Sequence, residues 1–291
     1  MPQFFLPPSA LSHRPVIIRG ADARHIADVL RLQVGDWLLL CDGEGRRYEA
    51  VIEAIRPLKV QCTIRREVPL PRLTLDITLA AAVIRPERYE WLIEKAFELG
   101  CRRLVPLVTE RSVKKYLPKD PVAKLERWRA IALSAAKQSG LPWTPQVTEI
   151  LALAEILNDA QGHLYYCWEG LALAKGSPQR GAGGARWRRP PVEAGSTERC
   201  GSLFRACWEP AEGGGRGFPP PEVCEPRRGA PSPGPATLLL IGPEGGFTST
   251  EHDAIMAYRP TLLPLGPLIL RTETAALTAI TLIQRQFGYF S

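Results

Sequence analysis

The sequence has 291 residues, 45% of them hydrophobic and 23% charged, enough for one large or two modest domains with a core that needs no staples. It has no apolar run of the roughly 18 residues a membrane-spanning helix needs, and Pro7, Pro8, His13, Arg14 and Pro15 break up the first turns, so a cytoplasmic chain without a signal peptide is expected; the seven cysteines form no CxxC pair, which argues against zinc ribbons and disulfide scaffolds and for reduced thiols and no metal. The formal net charge of +7 favours a polyanionic partner, but residues 170–236 hold ten Lys or Arg against six Glu, so the remainder is only mildly basic.

Residues 1–70 alternate short strand-like runs with turn signals: Val16–Ile18, Trp37–Cys41, Tyr48–Ile55 and Lys59–Val68, with Asp42-Gly43-Glu44-Gly45 as a turn. That rhythm predicts a small β-barrel. One helix is expected within it over 22–32, placing Ile26, Val29 and Leu30 on one face and Arg24, His25 and Arg31 on the other. The close pair Pro69 and Pro71 marks a boundary, because neither a ladder nor a helix continues through it.

From residue 71 to 291 strands alternate with helices, which predicts an open, mostly parallel α/β sheet. Leu73–Val83 reads as a strand covered on both faces. Tyr89, Leu92, Ile93, Ala96, Phe97 and Leu99 then recur at helical spacing, with Pro86 suited to the first turn and Gly100 to the stop. Leu104–Val108 is the next strand, and Asp120-Pro121 opens a helix that closes at Gly140. His163–Trp168 and Thr237–Ile241 read as strands flanking 170–236, a segment with thirteen Gly and eleven Pro that reads as an irregular insertion. Thr248-Ser-Thr-Glu251 is a capping box, and Thr272–Gln286 the last helix. Trp91 and Trp128 are placed on apolar helix stripes; Trp143, in Leu141-Pro-Trp-Thr-Pro145, reads equally as a base-stacking platform or a residue packed at a dimer seam.

Two segments leave a strand, pass through a loop and enter a helix. In Leu240-Ile241-Gly242-Pro243-Glu244-Gly245-Gly246-Phe247 the glycines strip the loop of side chains, so a flat ligand can approach the backbone. In Leu265-Gly266-Pro267-Leu268-Ile269-Leu270-Arg271-Thr272-Glu273-Thr274-Ala275, Glu273 suits a helix N-terminus, while Arg271 there calls for an acidic partner. Neither is a P-loop or a dinucleotide fingerprint.

Together these segments resemble the SPOUT class of S-adenosylmethionine-dependent RNA methyltransferases, and more narrowly the bacterial family that methylates N3 of a uridine in small-subunit ribosomal RNA. The resemblance extends to His25 with Val29-Leu30-Arg31, Gly35-Asp36, Asp42-Gly43, Glu90, Lys95, Glu98-Leu99-Gly100, Thr109-Glu110-Arg111-Ser112 and Lys137-Gln138-Ser139-Gly140. It implies a trefoil-knotted α/β sheet that forms homodimers, and a PUA-like barrel that helps hold ribosomal RNA. It also implies that Ile241, Gly242, Pro243, Glu244, Gly245 and Gly246, with Leu265, Gly266, Ile269, Leu270 and Thr274, hold S-adenosylmethionine. Arg271 would stabilise the developing uracil anion and Glu273 orient that arginine or act as proton acceptor. RNA contacts fall to Arg24, His25, Arg31 and Arg111, His25 reading equally as a structural histidine. The chain departs from the family at Leu141 and Leu268, where basic residues are usual, and in the insertion. Two other functions stay open from sequence: a non-catalytic RNA-binding assembly factor that keeps the fold, and a ribose 2′-O-methyltransferase.

Overall fold

The protein is described from a computed structural model, for residues 1–69, 75–113, 116–160, 162–167 and 236–288. The insertion at 170–236 therefore lies outside the described residues except for Ala236, as do Trp168 and Cys200, Cys207 and Cys224.

The first sheet is built from β1 (Gln3–Phe5), β2 (Val16–Arg19), β3 (Trp37–Cys41), β4 (Arg47–Arg56) and β5 (Lys59–Val68), in the order β1-β3-β4-β5-β2. Alternate residues of these strands face inward, so Phe4, Ile18, Leu38, Leu40, Ile52 and Val60 make one core. Register shifts at Glu49/Ala50 and Ile52/Ala54 bend β4, as bulges do. Sequence periodicity misses β1, because three residues between prolines are too few to show a period.

The expected helix at 22–32 is shorter and of another kind. After the short α1 (Pro8–Leu11), a turn of α-helix, α2 (Gly20–Arg24), runs on as a π-turn over His25–Val29, with Leu30 N–H donating to His25 O at 2.9 Å. The wider turn rotates the next residues off the buried face, so Ile26 is buried while Val29 is 66% exposed. The apolar face expected to include Val29 and Leu30 is thus reduced to Ile26.

The second sheet comprises β6 (Asp76–Ala82), β7 (Arg103–Val108), β8 (Gln146–Val147), β9 (Leu151–Ala152), β10 (His163–Cys167), β11 (Ala236–Ile241) and β12 (Thr261–Leu262). Its order is β12-β10-β11-β6-β7-β8, with β9 also on β7, and every pairing is parallel. Helices cover both faces. Ile77, Leu79, Ala81, Leu239 and Ile241 point to α3 (Pro86–Glu98), α4 (Pro121–Ser139) and α7 (Thr272–Gln286). Ala80, Leu238 and Leu240 point to α5 (Leu153–Asn158) and α6 (Ser249–Ala257). Two-sided burial is why these strands read as continuous apolar runs. No described helix is long and apolar enough to cross a membrane.

The helix ends carry the signals read from sequence. Asp120 Oδ1 accepts from Ala123 N–H at 3.1 Å, and Gly140 ends α4 at φ +76°. Trp128 is buried against Tyr89, with ring centroids 4.9 Å apart. Trp91, expected on the same apolar stripe, is 45% exposed; two residues past Tyr89 is about 200° around the helix, on the far face.

All the described residues belong to one compact unit, and a joint links its two sheets. Trp143 is buried and pairs with Gly43 and Glu44 of the Asp42–Gly45 turn. A Cβ on Gly45 would lie 2.8 Å from the indole Nε1, so only glycine permits this approach. Lys137 Nζ donates to Asp22 at 2.7 Å, and Gln3 Nε2 donates to Leu141 O at 2.7 Å. Trp143, expected at a base or a dimer seam, is thus a packing residue between the two sheets of the same chain. Leu141, one of the family departures, is buried here, where a basic side chain would be desolvated.

Candidate active site

The carboxyl ends of β10, β11 and β12 open into one cleft, next to the point where the sheet winds in both directions from β6 and β11. Such switch points hold ligands because the loops diverge there. One wall is the loop after β11: Gly242, Pro243, Glu244, Gly246 and Phe247. The opposite wall is the segment between β12 and α7, with Leu263, Pro264, Leu265, Gly266, Leu268, Ile269 and Leu270. Cys167, Ile241, Thr272 and Ala275 close the remainder. Thr272 Oγ1 donates to Gly242 O at 3.0 Å and ties the two walls together.

Most lining side chains are apolar, with Glu244 and Thr272 as the polar side chains among them, a composition suited to a flat heterocycle. Gly242 is where the cradle is tightest, since a Cβ would fall 2.9 Å from Phe247 Cε2. The Phe247 ring is itself packed edge-on against Tyr166, with centroids 5.5 Å apart. Burial pushes the Cys167 thiol up to about 12, so it lines the cleft as a neutral group. Leu268, the second family departure, is 74% exposed on the rim, where a longer cationic side chain would also fit.

Nine of the eleven expected cofactor residues line the cleft, and Gly245 and Thr274 do not. Gly245 instead turns its Cα toward Arg111, and Thr274 is exposed on α7. Arg271 is the exposed N-cap residue of α7 and has no ion-pair partner among the described residues, so the acidic partner expected for it is not found. Glu273 is 8% exposed and faces α3: its Oε1 lies 3.8 Å from Arg88 Nη1, and its Oε2 has no hydrogen-bond partner among the described residues. The arginine beside Glu273 is thus Arg88, which sequence reading passes over because nothing local marks the third residue of a helix as facing another helix far along the chain.

Arg24 and His25 are exposed on α2 and the π-turn, and Arg31 follows at φ +53°. Arg111 is exposed on the loop after β7, where Nη1 donates to Gly245 O at 2.7 Å. Other residues of the family pattern serve packing. Glu90 accepts from Lys124 and Arg127 across the α3–α4 contact, and Lys95 donates to Glu94 and Glu98.

Comparison with known proteins agrees with this architecture. The profile of the RNA methyltransferase domain family matches residues 71–176 and 224–284, and that of the RNA methyltransferase PUA domain matches 18–65. The chain is 27% identical over 275 residues to the ribosomal RNA small subunit methyltransferase E of Bacillus subtilis, covering 92% of this chain and 89% of that one. It is 27% identical over 278 residues to the protein of the same name from Synechocystis, covering 95% and 75%. The crystal structure of a ribosomal RNA small subunit methyltransferase E from Neisseria gonorrhoeae bound to S-adenosyl methionine superposes with a TM-score of 0.69 at 25% identity, over the full length of both chains.

Proposed function

The chain belongs to the RNA methyltransferase domain family, and from that premise we propose that it uses S-adenosylmethionine to methylate N3 of a uridine in small-subunit ribosomal RNA. The observation that carries the proposal is the cleft between the 242–247 and 263–270 loops, in a chain whose relatives are named small-subunit ribosomal RNA methyltransferases and match it over 89% and 75% of their own length. The cradle fits the cofactor: Gly242 carries no Cβ to press on Phe247 of the same wall, and the mostly apolar lining residues include Glu244 and Thr272 as polar side chains.

When bound, S-adenosylmethionine supplies the electrophilic methyl group. The chain's own residues supply position and charge. Leu265, Ile269 and Leu270 would hold the adenine through their main chain, with Gly242, Pro243 and Glu244 as the facing wall. Holding the two reactants in line removes much of the entropic barrier. Arg271, exposed at the head of α7 and without an ion-pair partner among the described residues, would donate to the uracil oxygen on which charge grows as N3 gives up its proton to solvent water. Glu273 shares that first turn and fixes it to α3 through Arg88. Arg24, His25 and Arg31 add phosphate contacts from the barrel. The domain boundary at 70/71, the knotted path and a homodimer belong to the same proposal.

The test is direct. Purified chain, S-adenosylmethionine and small ribosomal subunits lacking the modification are incubated, and the RNA is digested to nucleosides for mass spectrometry. Appearance of 3-methyluridine at one position supports the proposal. Methylation of a ribose hydroxyl, or cofactor binding with no RNA product, refutes it.

A further inference from the structure

The family resemblance assigns Arg111 to RNA phosphate, yet its guanidinium is engaged elsewhere. Nη1 donates to Gly245 O at 2.7 Å, and the bare Cα of Gly245 faces the Arg111 stem, where a Cβ would sit 3.7 Å from both Cβ and Cδ. The turn that carries Arg111 is closed on itself: Thr109 N–H donates to Ser112 Oγ at 2.9 Å and Ser112 N–H to Thr109 O at 3.0 Å. It is also fastened a second time. Glu110 N–H donates to Oε1 of Glu251 at 2.8 Å, and the other oxygen of that carboxylate accepts from Thr248 N–H at 2.9 Å. Glu251 is 7% exposed, and both of its carboxylate oxygens are satisfied by these donors at the N-terminus of α6.

The glycine-rich wall of the cleft is thus tied from outside at Gly245 and Thr248, and from inside by Thr272 on Gly242 O. A loop with three glycines loses more conformational freedom on ordering than an ordinary loop, so each tie shifts its resting population toward the shape that binds. From this geometry we infer that Arg111 is a positioning residue for the cofactor loop, acting through the Gly245 carbonyl, and that Thr109-Glu110-Arg111-Ser112 is the buttress on which that wall rests. The inference rests on the reading of the cleft as an S-adenosylmethionine site. It separates two roles for Arg111 that make opposite demands on its guanidinium.

The experiment compares the unmodified chain with Arg111→Ala and Arg111→Lys in three measurements: calorimetric titration with S-adenosylmethionine, thermal midpoint, and the salt dependence of binding to small-subunit ribosomal RNA. Arg111→Ala is expected to weaken cofactor binding about tenfold, the scale of one charge-assisted hydrogen bond at an exposed edge. The midpoint and the salt slope stay as they were, and Arg111→Lys recovers part of the affinity, since an ammonium still donates to one carbonyl. Unchanged cofactor affinity with a salt slope reduced by about one unit overturns the inference and makes Arg111 a phosphate contact. An unmodified chain that binds no S-adenosylmethionine defeats the reading of the cleft itself, a result distinct from a variant that binds as well as the parent.

Discussion

Replacing Gly242 by alanine puts a methyl carbon 2.9 Å from Cε2 and 3.0 Å from Cδ2 of Phe247. Carbon atoms in contact prefer about 3.5–4.0 Å, so the ring must move by more than about half an ångström. It cannot retreat freely, because Phe247 is seated against Tyr166 at 5.5 Å between centroids, and Tyr166 lies fully buried in the cluster with Leu240 and Ile255. The remaining direction is into the cleft that Phe247 lines. Overpacking of this kind costs about 1–3 kcal/mol. Directed wholly against the binding-competent shape, that cost lowers cofactor affinity by roughly five- to 150-fold. Gly245→Ala is the matched control: its Cβ meets Arg111 at 3.7 Å, an ordinary contact, and its expected change in affinity is under about twofold. Titration calorimetry with S-adenosylmethionine on both variants, with thermal midpoints to verify folding, decides the matter. Full affinity in Gly242→Ala beside a large loss in Gly245→Ala would refute the placement of the two glycines.

Arg271→Ala should lower turnover by about a hundredfold with little change in cofactor affinity, as expected for one donor to developing charge; single-turnover methyl transfer measures it, and normal turnover sinks the role. Glu90 is held below the usual carboxylate range by hydrogen bonds from Arg127 and then Lys124, opposed by partial burial. Its folded pKa is depressed, so its contribution is complete above about pH 4.3, the unfolded value, and is lost as pH falls through the lower folded one. Glu90→Gln should therefore be less stable than the parent by up to about 1 kcal/mol at neutral pH, with the two denaturation curves converging in acid; a gap that persists there contradicts the ionic origin. Arg24→Ala combined with Arg31→Asn, asparagine being chosen to tolerate the positive φ at 31, should reduce the salt slope of RNA binding by about two units. An unchanged slope would mean the barrel makes no phosphate contact there.

What the sequence determined by itself is local. The stripe Tyr89, Leu92, Ile93, Ala96 in α3, the Asp120 cap and Gly140 stop of α4, the Thr248–Glu251 box and the continuous apolar runs of β6 and β11 all depend on neighbours a few residues away, and those are legible because backbone geometry repeats over that range. The two strand-loop-helix segments were legible for the same reason, and so was their joint placement at one end of a parallel sheet. Tertiary structure alone decided the rest. Whether a glycine faces ligand or protein can depend on atoms far along the chain, so Gly245, in the same loop as Gly242, meets Arg111, 134 residues earlier. Glu273 finds Arg88 and not its neighbour Arg271, because α3 and α7 pack side by side on one face of the sheet. Trp143 closes an interdomain joint that no local pattern announces, and the π-turn at His25–Val29 turns Val29 outward although its spacing from Ile26 suits a helix face. Local periodicity states which side of an element is apolar; only packing decides which partner that side meets.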